Sequence, residues 1–228
     1  MMMTEGLSAF GIITTSRILV VMPHPDDEAI FCAGLLHLLS ANGIPTRVIT
    51  MSAGEKSPLH YGVKPSDDLG KIREQELARA LTILGITDSH MYHYPDGELK
   101  TIGETIQKII RSNIEDFCPT HVVTLEPNGI YGHPDHKALS EFTKRAVSLP
   151  IRLLYVTVSP SYHLPGKPIK PILPDIELRL RFSDVTVKIK ALRAHNSQFM
   201  GPVGTVLKSF AFFVINHMTV NEFFAWGN

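Results

Sequence analysis

Two short segments concentrate side chains able to hold a metal ion and move protons. One is Pro23-His24-Pro25-Asp26-Asp27-Glu28 and the other is Gly132-His133-Pro134-Asp135-His136. Together they offer three imidazoles and four carboxylates. Two imidazoles, one carboxylate and a water are the donor set of a catalytic zinc ion, whereas a structural zinc wants four protein ligands, usually with thiolates. Neither Cys32 nor Cys118 falls inside these segments. The prolines stiffen both, so little ordering entropy remains to be lost when an ion binds. Each segment alone has an ordinary explanation. Carboxylates offset the dipole at a helix N-terminus, and Pro134-Asp135 makes a good first helical turn behind any residue. The pairing of the two is what argues for chemistry.

The elements around them must bring the segments together. Ile18 to Met22 is a continuous apolar run ended by Pro23, the pattern of a strand buried on both faces. Phe31, Leu35, Leu38 and Leu39 then recur at helical spacing from Glu28 to Leu39, with Asn42-Gly43 as a stop. Further strands are expected at Arg47–Met51, His90–Tyr94, His121–Leu125 and Ile151–Val158, with helices over Asp67–Leu84, from Ile102 to Phe117, and from Pro134. Glu177 to Phe182 reads as an edge strand and Val185 to Ala194 as a final helix, while the Pro-rich Pro160–Pro174 reads as a connection. The last thirty or so residues give no clear pattern. Strands alternating with helices imply an α/β, Rossmann-like three-layer αβα sandwich with a mainly parallel sheet. The expected organisation is one domain over 1–228, with a core at 17–158 and a C-terminal extension at 159–228 that completes it. In such a fold, ligands bind at the carboxyl ends of the strands where strand order reverses, which the first and fourth strands normally flank. Both chemical segments follow those two strands.

Composition removes other classes. The 228 residues carry 22 Lys and Arg against 22 Asp and Glu, a formal net charge of zero with 11 histidines uncounted. That leaves no electrostatic footprint for nucleic acid. With 44% apolar and 19% charged residues, disorder, a coiled coil and a disulfide scaffold are all disfavoured. No run reaches the roughly 18 apolar residues of a membrane span, the stretch Phe210–Ile215 being too short. The N-terminus lacks the signature of a signal peptide. Two distant cysteines in apolar surroundings read as reduced, buried thiols, so the expected location is cytoplasmic.

The pairing of Pro23-His24-Pro25-Asp26-Asp27-Glu28 with Tyr131-Gly132-His133-Pro134-Asp135-His136 resembles the zinc-dependent deacetylases of the PIG-L/LmbE-like family. Arg73 with Glu76, Tyr94-Pro95-Asp96-Gly97-Glu98 and Ala194-His195-Asn196-Ser197-Gln198 are similar to further family segments, and the resemblance spans about residues 17–200. It implies removal of an N-acetyl group from an N-acetylglucosamine-type small molecule carrying malate, inositol, chitobiose or a related amide. By the same resemblance His24, Asp27 and His136 are the metal ligands and Asp26 is the general base. Zinc lowers the pKa of a water bound to it to roughly 7, and an adjacent carboxylate can take that proton and return it to the departing amine. His133 is then expected to be protonated and to stabilise the oxyanion, with Asp135 orienting it and raising its pKa, and Tyr131 adding a donor. Zn²⁺ is the expected cofactor, with Fe²⁺ as the alternative occupant.

Arg73 and Asp96 match positions that touch substrate in relatives. The competing reading of Arg73 is an ion pair with Glu76, three residues on. His195, with Ser197 and Gln198, either lines the pocket or caps a helix, and the long 52–66 connection reads as a lid or specificity loop. The remaining histidines, His37, His60, His90, His93, His121, His163 and His217, join no constellation. Two other classes compete. A non-haem Fe(II) oxygenase uses the same two-histidine, one-carboxylate set. A non-catalytic nucleotide-binding module would need a Gly-rich phosphate loop, which the sequence lacks. Oligomeric state is left open, a homo-oligomer included.

Overall fold

In chain order the elements are α1 (Glu5–Ser8), β1 (Ile18–Met22), α2 (Asp27–Phe31), α3 (Ala33–Ala41), β2 (Thr46–Ser52), α4 (Leu69–Leu84) and β3 (Asp88–Tyr94). A 3-10 turn then leads into α5 (Gly103–Phe117), β4 (His121–Leu125), α6 (Pro134–Ala146), β5 (Arg152–Thr157), β6 (Ile176–Arg179), α7 (Phe182–Ala194), α8 (Asn196–Phe199) and β7 (Asn221–Trp226). The computed structural model describes residues 5–160, 170–199 and 220–228. Most of the Pro160–Pro174 connection, the apolar stretch Phe210–Ile215, His163 and His217 lie outside those residues.

The sheet has seven strands in the order β3-β2-β1-β4-β5-β7-β6. The first five pair in parallel, as expected. β1 is apolar throughout because both faces are covered. Ile18, Val20 and Met22 point into one core layer with Leu35, Leu39 and Leu81, while Leu19 and Val21 point into the other with Ile106, Ile110 and Leu139. α5 contributes only a stripe to that second layer, so its periodicity is clear in the sequence. α4 starts at Asp68, whose side chain accepts from the Lys71 amide, and stops at Gly85 in a left-handed conformation.

Three features differ from expectation. β7, which gave no pattern, runs antiparallel between β5 and β6. The helix expected over Glu28–Leu39 is broken at Cys32, with φ −143°. The cause lies far along the chain: Glu222 of β7 accepts from the amides of Gly34 at 2.7 Å and Leu35 at 2.9 Å, capping a new helix there. Lys188 of α7 donates to the same carboxylate at 2.7 Å, and both side chains are buried. Cys118, expected to be buried, is exposed, because it caps the C-terminus of α5 with a φ of 46°. Among the described residues no helix is long and apolar enough to cross a membrane.

Candidate active site

The strand order reverses beside β1, and the loops after β1, β3 and β4 meet there. The first loop is tightly wound. Asp26 has a φ of 106°, a region that L-residues other than Gly, Asn and Asp seldom enter. Its amide donates to Glu28 Oε2 at 3.0 Å, and its carbonyl accepts from Ala29 and Ile30, so the strained residue is held on both sides. Burial pushes the Asp26 carboxyl up to about 7, against the opposing pull of the Arg73 guanidinium. In metal-free protein, carboxyl carbon shifts in NMR should therefore give Asp26 a midpoint near 7. A midpoint below about 5 would mean that Arg73 outweighs burial.

The adjacent Asp27 turns the other way. Its Oδ2 accepts from the His24 amide at 3.2 Å and faces His24 Nδ1 at 3.4 Å and His136 Nε2 at 3.5 Å. Ligand atoms held about 2.0–2.1 Å from a tetrahedral zinc lie about 3.3–3.4 Å apart, close to those two separations. Both ring nitrogens of His136 are buried without a hydrogen-bond partner, and burial pushes this imidazole down to about 3, leaving it neutral with a lone pair to offer. An orphaned neutral imidazole facing a carboxylate and a second imidazole fits a divalent cation.

On its other side, His24 Nε2 lies 3.2 Å from both Asp96 Oδ1 and Asp135 Oδ2. Although burial opposes it, the carboxylates of Asp135, Asp27 and Asp96 hold His24 well above the usual imidazole range. Two groups of three have ligand atoms close enough to share an ion, His24 with His133 and His136, and His24 with Asp96 and Asp135. Those two carboxylates are already occupied by amides, however: Asp135 accepts from Gly97 and Leu99, and Asp96 accepts from Lys56. Carboxylates behind an imidazole, themselves pinned by backbone, are the arrangement that orients a ligating histidine.

This placement corrects two expectations. Asp135 does not orient His133 through its carboxylate. His133 is the N-cap of α6 and Asp135 its second residue, and positions two apart on a helix project about 200° apart. The contact runs through the backbone instead, the Asp135 amide donating to His133 Nδ1 at 3.2 Å. A ring that accepts at Nδ1 is neutral and carries its proton on Nε2. Burial, then the neighbouring His24, also lower the His133 pKa, against the expected imidazolium. Tyr131 packs edge-on to His136 with ring centroids 5.1 Å apart. Its loop contains Ile130 at a φ of 61° and is fixed by Glu126, which accepts from the amides of Asn128 and Ile130. Glu126 was not singled out in the sequence, although a carboxylate at the end of an apolar strand before Pro-Asn-Gly is a legible signal.

Arg73 and Asp96 were expected to face substrate. Asp96 reaches the cavity but spends both oxygens on His24 and the Lys56 amide. Arg73 lines the same cavity, but its guanidinium is spent within the protein, donating to the carbonyls of Gly54 and Pro25 and to Asp26 Oδ2. Gly54 is needed for this, since its φ is 65° and an added Cβ would lie 1.9 Å from Arg73 Nη1. Glu76 does not pair with Arg73 but accepts from the Ser197 amide and hydroxyl. Arg73→Lys should accordingly lower kcat by about 10- to 100-fold with KM little changed. A rise in KM at constant kcat would restore the substrate contact. His195 lies outside the cavity lining and bonds Glu28 Oε1 at 2.7 Å, the carboxylate that holds the Asp26 amide. Gln198 does line the cavity, and with Ser197 it pins the 52–66 connection through Ser57, Leu59 and Tyr61.

Residues 19–147 match the family described as PIG-L: GlcNAc-PI de-N-acetylase. A Bacillus anthracis protein described as a probable N-acetyl-alpha-D-glucosaminyl L-malate deacetylase 2 is 33% identical over 192 residues, covering 80% of this chain and 81% of its own. The solved N,N'-diacetylchitobiose deacetylase of Pyrococcus horikoshii shares the fold with a TM-score of 0.67 at 21% identity, over 92% of this chain and 83% of that one. The 4-carboxy-2-hydroxymuconate hydratase of Pseudomonas putida KT2440 shares it too, with a TM-score of 0.71 at 14% identity over 94% and 97% of the two chains. The same frame therefore carries more than one chemistry, and the function lies in the site built on it.

Proposed function

Because the chain belongs to the PIG-L family of GlcNAc-PI de-N-acetylases, we infer that it hydrolyses the N-acetyl amide of an N-acetylglucosamine-type molecule to acetate and free amine. The observation that carries this reading is Asp27 Oδ2 facing both His24 Nδ1 and His136 Nε2, with the raised carboxyl of Asp26 as the next residue. His24, Asp27 and His136 would hold the cation, Zn²⁺ or alternatively Fe²⁺. When bound, such an ion supplies Lewis acidity toward water and the amide carbonyl.

The chain's own groups do the rest. Asp26, ionised, takes a proton from the attacking water as the carbon–oxygen bond forms. The same carboxyl, now protonated, delivers that proton to the amine nitrogen as the carbon–nitrogen bond breaks. His133, neutral with its proton on Nε2, donates to the oxygen that gains negative charge, and Tyr131 lines the same corner. Asp96 and Asp135 hold the His24 ring, and Arg73 with the Glu28–His195 pair holds Asp26.

The oxygenase reading shares the donor set but has no use for Asp26, and a nucleotide would meet carboxylates rather than a phosphate loop. Zinc-reconstituted protein incubated anaerobically with N-acetylglucosaminides should release one acetate per amine formed. Activity that requires dioxygen, or acetate-free turnover, would overturn the deacetylase reading.

A further inference from the structure

The cavity that opens onto Asp26 and His133 has a volume of about 510 Å³, room for more than an acetamido sugar's reacting end. Away from the imidazoles its wall is built from Ile30 and Phe31 of α2, Pro58 and Leu59 of the β2–α4 connection, and Phe199 of α8. The polar side chains along that wall are spent within the protein. Lys56 Nζ donates to Glu98 Oε1 at 2.6 Å. Ser57 Oγ donates to Gln198 Oε1 at 2.9 Å, and Gln198 Nε2 donates to the Leu59 carbonyl at 3.0 Å and to Ser197 Oγ at 2.9 Å. Arg73, the other cation there, is committed to Pro25, Gly54 and Asp26.

Among the described residues, this end of the cavity thus offers no cation without a carboxylate partner. An anionic group brought here would lose its hydration and meet only cations that already have a carboxylate partner, while an apolar group would exchange water for side-chain contact. Direction follows from the proton path. The departing amine receives its proton from Asp26, which lines the cavity together with Ile30 and Phe31 of α2, while His133 and Tyr131 line the corner where the oxyanion forms. A group carried on the amine side therefore enters along the wall that Ile30 and Phe31 begin.

We propose that this wall is an aglycone subsite for an uncharged, apolar group, so that the substrate is an N-acetylglucosaminide with an alkyl or aryl rather than an acidic substituent. This rests on the amide-hydrolase reading above. The zinc-loaded protein should be compared on methyl, octyl and carboxymethyl N-acetylglucosaminides, with calorimetric binding measured alongside acetate release. The octyl compound should exceed the methyl compound in kcat/KM by at least about tenfold, and the carboxymethyl compound should fall below it. Leu59→Asn should draw the octyl-to-methyl ratio back toward one. Glu98→Gln, which frees Lys56 at an exposed position, should raise the carboxymethyl-to-methyl ratio.

Equal or better turnover of the carboxymethyl compound, or no octyl advantage in rate or binding, would overturn the proposal. Octyl-selective binding with no acetate released from any of the three would keep the subsite and defeat the deacetylase reading instead.

Discussion

An Asp26→Asn variant is expected to lose about 10²- to 10⁴-fold in kcat/KM while binding zinc with unchanged stoichiometry. The amide preserves the size of the side chain and can still accept from Arg73, but it cannot take a proton from water. The carboxylate that faces the two imidazoles belongs to Asp27, so the donor set is left intact. Asp27→Asn should do the reverse and lower zinc occupancy, because the charge opposing the cation is gone. Steady-state rates and elemental analysis of the same preparations separate the two. A rate for Asp26→Asn within about tenfold of the parent would move the base elsewhere.

The largest expected effect on stability lies far from the chemistry. Lys188→Met keeps the length and apolar stem of the side chain but strips the buried Glu222 carboxylate of its counter-charge. Removing one partner of a buried ion pair typically costs about 3–5 kcal/mol, much of it the penalty of the group left behind. Denaturant titration should show the midpoint falling with little change in slope. A loss below about 1 kcal/mol would mean that the Gly34 and Leu35 amides alone satisfy the carboxylate. The pair joins α7 and β7 to the start of α3, so local opening of this region should increase in parallel, readable by hydrogen exchange.

The parallel strands nearest the site were legible because their residues display their burial; β1 is apolar from end to end, β4 sets Val122, Val123 and Leu125 beside His121 and Thr124, and both are followed by proline within two residues. The chemical loops were legible because strand order tells where ligands bind, and both sit at that place. What failed were contacts made across long sequence separations. The break at Cys32 is imposed by Glu222, and no residue near Cys32 announces it. β7 has a buried carboxylate inside a strand, which disrupts the apolar pattern that identifies strands. Nothing near Arg73 announces that its guanidinium is spent within the protein, because its seat depends on the bare backbone of Gly54, nineteen residues away. His195 was undecided for the same reason, its partner Glu28 lying 167 residues earlier. The His133–Asp135 expectation failed on local geometry, since a helix begins between them and sends the two side chains apart.

The backbone at position 26 also bears on how this protein would respond to selection. A φ of 106° costs an L-residue about 1–2 kcal/mol, and glycine nothing. Glycine would, however, leave the buried Arg73 guanidinium without its carboxylate partner, a loss of the kind that typically costs about 3–5 kcal/mol. A library screened for heat resistance alone should therefore keep the carboxylate at position 26 although the backbone there favours glycine. Stability and turnover select the same residue at that codon, so directed evolution of this scaffold need not trade one for the other there.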